Sequence, residues 1–199
     1  IIMTGTTQFG ACFAFTPLKI YMRFLSLLLL SIIIQQKGFA QQNSNSILYW
    51  NKDKKLSWSD YLATPDDESD AAASTTTQLN VEYEFTKDKF SFRIKSFFLK
   101  SSSWGRHKTE YILSHEQGHF DIAEIFARKL HKALREYVFN KKTFQTDLKH
   151  IYDGIVAAKT AMQDEYDRET NHSINKEKQN EWLIKIADLL QTFEPWAAY

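Results

Sequence analysis

Cysteine is almost absent from this chain. The one residue of its type, Cys12, lies upstream of Met22, in a stretch that opens on isoleucine and reads as preceding the true start of translation. Its context, "QFGAC" (8–12), lacks the preceding basic and apolar regions of a lipoprotein signal. The mature chain is therefore expected to hold no thiol, which excludes disulfides and thiolate metal sites and suits an oxidising compartment. Any metal chemistry falls to histidine and carboxylate.

An excess of either charge is also missing. The chain has 25 basic and 24 acidic residues, and residues 1–40 carry three of the basic ones (Lys19, Arg23, Lys37) and no acid. The remainder of the chain is near neutral, without the basic footprint of a nucleic-acid binder. Nor is there an apolar run long enough to span a membrane. The run "FLSLLLLSIII" (24–34) is eleven residues, whereas a spanning helix needs about 20. Arg23 before it and the small-x-small "GFA" (38–40) after it form the pattern of a removable secretory signal. Residues 1–40 thus read as upstream segment plus signal peptide, starting at Met22 and cleaved after Ala40. Residues 41–199 read as one mature domain, secreted or periplasmic, with no stable membrane anchor.

The composition that is present suits a single packed core: 43% hydrophobic and 25% charged residues. After the polar lead "QQNSNS" (41–46), Pro65 and the acidic run "DDESD" (66–70) mark a solvated loop. Two segments then alternate with period two: Leu79, Val81, Tyr83 and Phe85 in the first, Phe90, Phe92 and Ile94 in the second. "TKDK" (86–89) between them predicts a hairpin. The adjacent Phe97 and Phe98 break the alternation. From Thr109, a plausible N-cap, the period becomes helical as far as about Val138. A second helix starts near Phe144, with an apolar stripe of Leu148, Ile151, Ile155, Ala158 and Met162, and stops at "TNHS" (170–173). A third carries Trp182, Ile186, Leu189, Leu190 and Phe193 on one face. There is no internal repeat. The fold class is α+β: a short antiparallel sheet packed on a layer of about three long helices.

The first helix contains "SHEQGHFD" (114–121). Residues four apart on a helix stand about 40° apart and one turn up, so His115 and His119 can aim both imidazoles at one ion. In an HExxH arrangement the glutamate, here Glu116, does not ligate but takes a proton from water acidified by the metal. HExxH also occurs by chance, so context matters. Ile112, Ile122 and Phe126 share the histidines' face, which places the imidazoles on the inward stripe. Gly118, costing about 1 kcal/mol relative to alanine inside a helix, predicts that a strand or a substrate approaches the backbone there.

A catalytic zinc normally takes three protein ligands and keeps one position for water. Glu124 and Asp121 point about 140° and about 200° away from His119, and His131 lies about 18 Å up the axis. If the second helix packs antiparallel, residues 164–168 fall level with the histidine pair. Glu165 and Tyr166, with His172 just beyond, are then the candidates for completing the site.

"HEQGHFDIAEIFARKL" (115–130) together with "YDRETNHS" (166–173) resembles a family of bacterial secreted zinc-dependent proteases. "KLSWSDY" (55–61) and "QNEW" (179–182) look like further features of it. The family's second motif, Tyr-Asp-x-x-Thr-x-His-Gly, maps onto Tyr166, Asp167, Thr170 and His172, with Ser173 in place of the glycine. The resemblance implies a zincin-like fold, Zn2+ held by His115, His119 and His172 with Glu165 as the alternative third ligand, and Glu116 as general base. Asp167 would orient a ligating imidazole, and Tyr166 would donate a hydrogen bond to the developing oxyanion. The implied reaction is hydrolysis of a peptide bond in a peptide or protein substrate, which a strand bordering the cleft would hold by β-augmentation. "SSSWGR" (101–106) is the expected rim of that cleft. The competing expectations are a non-enzymatic envelope protein whose metal site is closed by a fourth protein ligand, and a metal-free interaction module.

Overall fold

The computed structural model describes residues 46–86 and 90–199. The expected signal peptide and start site, and the centre of the "TKDK" turn, lie outside the described residues. Residues 47–199 form one compact unit. Among the described residues no helix is long and apolar enough to cross a membrane.

The two alternating segments form strands β3 (Thr77–Phe85) and β4 (Phe90–Leu99), which come after β1 (Ile47–Tyr49) and β2 (Ala73–Ser74) in the chain. β3 and β4 pair antiparallel with Val81 opposite Ile94 and Phe85 opposite Phe90, the hairpin that the pattern predicts. Gln78, Asn80, Glu82 and Glu84 face solvent, and Glu82 bridges Lys95 at 2.7 Å across the strands. β1 adds to the other edge of β4, giving the order β1-β4-β3. β2 pairs separately with β5 (Trp104–Gly105).

The doubled phenylalanine has a packing reason. At this end of β4 both faces are covered, because the arm from residue 47 to 62 folds over the sheet. Phe97 meets Tyr49, its cross-strand neighbour, edge to face at 6.0 Å. Phe98 is fully buried against Tyr61 and Phe120. Strict alternation marks a sheet with one wet face, and here neither face is wet.

Three helices complete the unit: α1 (Glu110–Glu136), α2 (Phe144–Thr170) and α3 (Lys176–Thr192). The Thr109 side chain accepts from Ile112 N and caps α1, and Asn175 caps α3 by accepting from Lys178 N. α1 touches the sheet, α2 and α3, and every residue from Phe120 to Arg128 is buried. Such a helix must bury charge, and Asp121, Glu124 and Arg128 are answered by partners. Asp121 accepts from Trp50 Nε1 and Gln117 Nε2, both at 2.7 Å. Arg128 donates to Glu124 at 2.9 Å, to Leu190 O at 2.6 Å and to Glu194 at 2.7 Å. Leu56 N donates to Gln117 Oε1 at 2.8 Å, so "KLSWSDY" braces the side of α1 turned away from its histidines. In "QNEW", Gln179 reaches Tyr111 O and Ser114 Oγ, while Trp182 donates to Glu169.

Phe98→Ala should cost about 3–5 kcal/mol in urea unfolding, because it empties a fully buried site. Val138→Ser, at a residue 84% exposed, should stay within about 0.5 kcal/mol.

Candidate functional site

His115 and His119 stand one turn apart on α1 and face the C-terminal half of α2. The turn at 139–143 sends α2 back antiparallel, and residues 163–167 come level with the pair, as helix rise predicts. His115 Nε2 and His119 Nε2 are 3.2 Å apart. Asp167 Oδ1 completes a triangle, 3.1 Å from the first and 3.0 Å from the second. Four ligands held at about 2.0–2.1 Å around a tetrahedral zinc lie about 3.3 Å from one another. The three atoms are close to that spacing without rearrangement. Two imidazole nitrogens and a carboxylate oxygen are donors that zinc accepts, so the cluster His115, His119 and Asp167 could hold such an ion.

Gln163, one turn before Asp167, fixes which nitrogen of His119 faces the triangle. Its Nε2 donates to His119 O at 2.9 Å, which turns its Oε1 onto His119 Nδ1. Nδ1 therefore carries a proton, and in the neutral ring Nε2 presents its lone pair to the carboxylate and to the other imidazole. Three electron-rich atoms so close need a cation among them, a proton or a metal. The titration directions agree. Burial works against charge on both rings, and it prevails at His115, whose pKa is lowered. At His119 the hydrogen bond and charge of Asp167 outweigh burial and raise it. Burial would raise Asp167, but hydrogen bonds from His115 and His119 hold it well below the usual carboxylate range. These directions fit a proton on His119 facing the Asp167 carboxylate, which a bound metal would displace.

Glu116 is 4% exposed, lines the adjoining cavity, and leaves Oε2 without a hydrogen-bond partner among the described residues. His115 Nδ1 is likewise unpartnered. Buried carboxylate oxygens are normally satisfied, so an unpartnered one beside this cluster is unusual. The cavity, about 560 Å³, lies between α1, α2 and the extended chain from Ala71 to Thr77. Trp104 lines it, as expected of the "SSSWGR" segment, and so do Asp66 and Ser69 of the acidic loop, whose acids are otherwise solvent-exposed as its composition predicts.

Tyr166 lies beneath the two imidazoles. It is fully buried, stacks on the His115 ring at 4.5 Å, and donates its hydroxyl to His115 O at 3.2 Å. Burial and the Glu116 charge raise its pKa, so it keeps the proton it donates. The hydroxyl lies on the α1 backbone, and it is this phenol, rather than a strand or a substrate, that makes Gly118 necessary. A Cβ at Gly118 would meet Tyr166 Oη at 2.6 Å.

His172 stands at the cavity mouth, its side chain 67% exposed and its Nδ1 3.8 Å from Asp167 Oδ1. Glu165 points to the exterior, within 4.0 Å of Arg168. The sequence placed Asp167 level with the histidines but read it only as orienting a ligand. Gln163 was missed, although its spacing of four from Asp167 mirrors that of the histidine pair. Beyond α2, Asn171, His172 and Ser173 are all left-handed, with φ of 47°, 50° and 71°. Ser173 therefore strains where a glycine would not.

Residues 33–173 match the family described as bacterial protein of unknown function (DUF922). The match takes in "KLSWSDY", the histidine motif and the left-handed turn, and leaves "QNEW" outside. No curated protein and no solved structure matches the chain.

Gly118→Ala should destabilise the fold by about 1–2 kcal/mol despite alanine's better helix propensity, since the buried ring cannot retreat. Thermal unfolding would show this, with partial relief in the double variant carrying Tyr166→Phe. Ser173→Gly should raise the midpoint by about 2–4 °C, the equivalent of about 1 kcal/mol of relieved backbone strain.

Proposed function

The chain belongs to that bacterial family, whose description names no activity, and on this footing we propose that it is a zinc-dependent peptidase. One observation carries the reading: three ligand atoms 3.0–3.2 Å apart beside the unpartnered oxygen of a buried glutamate. His115, His119 and Asp167 would hold the metal, with His172 the alternative third ligand reachable from the cavity mouth. Bound zinc would supply Lewis acidity, polarising a carbonyl and acidifying water at its open position.

Glu116 is the general base. Its free Oε2 takes a proton from the attacking water and returns it to the amine nitrogen as the carbon–nitrogen bond breaks. Gln163 holds the His119 tautomer, and Tyr166 positions both rings from beneath. The substrate is a peptide or protein segment lying along Ala73 and Ser74, whose β2 edge lines the cavity and can pair with an extended chain. The secretory signal at residues 22–40 would deliver the enzyme to the periplasm or the exterior.

A second reading draws on His172. Its ring, 3.8 Å from Asp167 Oδ1, would make a fourth protein ligand and close the site, giving a structural metal centre.

The test is zinc content by elemental mass spectrometry together with peptide hydrolysis. The native protein and Glu116→Gln should each retain about one zinc per chain. Turnover should fall about 10²–10⁴-fold in Glu116→Gln. Asp167→Asn should weaken zinc binding at least about tenfold, while His172→Ala should leave both zinc and turnover largely intact. Zinc lost in His172→Ala, with no hydrolysis by the native protein, would favour the closed site.

A further inference from the structure

The α2 wall of the cavity carries three polar side chains at intervals of four: Lys159, Gln163 and Asp167. Gln163 and Asp167 are committed to the histidines. Lys159 has no such employment. Among the described residues its Nζ reaches only the carbonyl and hydroxyl of Thr77, at 3.5 and 3.4 Å. Both contacts are long for hydrogen bonds, and neither partner is charged. Burial lowers the lysine's pKa, and no acidic neighbour among the described residues counters that effect. A half-buried ammonium facing a cavity without a counter-ion is costly unless something that enters the cavity supplies one.

The facing wall fixes where this cation lies. The run from Ala71 to Thr77 is tied at one end, where Arg106 N donates to Ala72 O at 2.8 Å. Its other end is tied where Leu99 N donates to Thr76 O at 2.9 Å. Arg106 also binds Ser69 O and Asp66 O, which brings the acidic loop to the first end. Lys159 sits at the second end, against Thr77. Eight residues of helix separate it from Asp167, about 12 Å along the axis. An extended peptide rising about 3.3 Å per residue covers that distance in about three to four residues.

We propose that Lys159 forms a carboxylate-binding subsite, selecting peptides that carry an acidic side chain or a free C-terminal carboxylate about three to four residues from the bond to be cut. The proposal rests on the peptidase reading and names its substrate class. An ammonium fits this task because it is a point charge on a flexible stem and accepts a carboxylate in several orientations. A charge-assisted hydrogen bond in a partly desolvated cavity is strong enough to discriminate Glu from Gln.

The experiment measures binding, so that it does not depend on turnover. Zinc-loaded Glu116→Gln protein is titrated with N-acetylated, C-amidated alanine-rich peptides in which one glutamate, or one glutamine in its place, moves along the chain. A further arm uses the glutamate-free peptide with a free C-terminus. In one register the glutamate peptide, or the free acid, should bind about tenfold tighter than its neutral counterpart. The tighter arm identifies the carboxylate's source. Adding Lys159→Met should erase the preference while zinc content and neutral-peptide binding stay unchanged, Lys159→Arg should keep it, and Lys159→Glu should shift it to lysine-bearing peptides. Equal binding of acidic and neutral peptides in every register overturns the proposal, as does absence of binding or a preference that survives Lys159→Met. A Lys159-dependent preference in a protein that cleaves none of these peptides would sustain the subsite and sink the peptidase reading.

Discussion

Everything at the centre of this molecule depends on one close contact, the Tyr166 phenol lying on the backbone of Gly118. Without a Cβ at residue 118, α2 approaches α1 closely enough for the Tyr166 hydroxyl to reach a main-chain carbonyl, its ring at the same time supporting both imidazoles. That approach sets the separation across which Asp167 and Gln163 meet the histidines. A longer separation would leave three polar groups facing an empty gap, and a shorter one would crush the ring. The motif on α1 and the motif on α2 are therefore two halves of one packing solution, joined by a glycine and a tyrosine.

The second constraint is that α1 is enclosed. A helix wrapped by a sheet, two helices and the N-terminal arm carries buried charge at a cost that partners must offset. Trp50, Gln117 and Lys55 answer Asp121, and the Arg128 network answers Glu124. Against this background the free Oε2 of Glu116 stands out, because the same helix satisfies its other buried carboxylates. The electrostatics of the site are thus selective: dense compensation on one side of α1, and a carboxylate oxygen left without a protein partner on the side facing the cavity.

Much of this was legible in the residues. The helical period, the Thr109 cap and the count of residues around the 139–143 turn gave three helices and the level at which α2 passes the histidines. Alternation gave β3 and β4. The glycine in "HEQGH" announced a close approach, but its partner could not be read, because a tyrosine at helical spacing signals a core position and nothing about what it touches. Asp167 was read at the right height, as a partner of one imidazole; that a single carboxylate oxygen meets both rings could not be read, because helical spacing gives the level of a side chain and not its reach. The acidic loop was read as solvent-facing, and its four acids are exposed. That its Asp66 and Ser69 also border the cavity could not be read, because Arg106 holds the loop by main-chain carbonyls, and a carbonyl leaves no mark in a sequence. Phe97 and Phe98 looked anomalous only while the sheet was assumed to have one wet face.

The left-handed run from Asn171 to Ser173 bears on how the site moves. Its three residues are held off their preferred backbone by the Asp167 and Thr170 carbonyls, which accept from His172 N at 2.9 Å and Asn175 N at 2.8 Å. Strain of this kind is released when a segment opens locally, so it lowers the free energy of that opening relative to global unfolding. The segment adjoins Asp167 and carries His172, whereas α1 is locked from all sides. Local opening should therefore favour this wall, where the tail of α2 meets the strained turn, over the enclosed helix that carries the imidazoles.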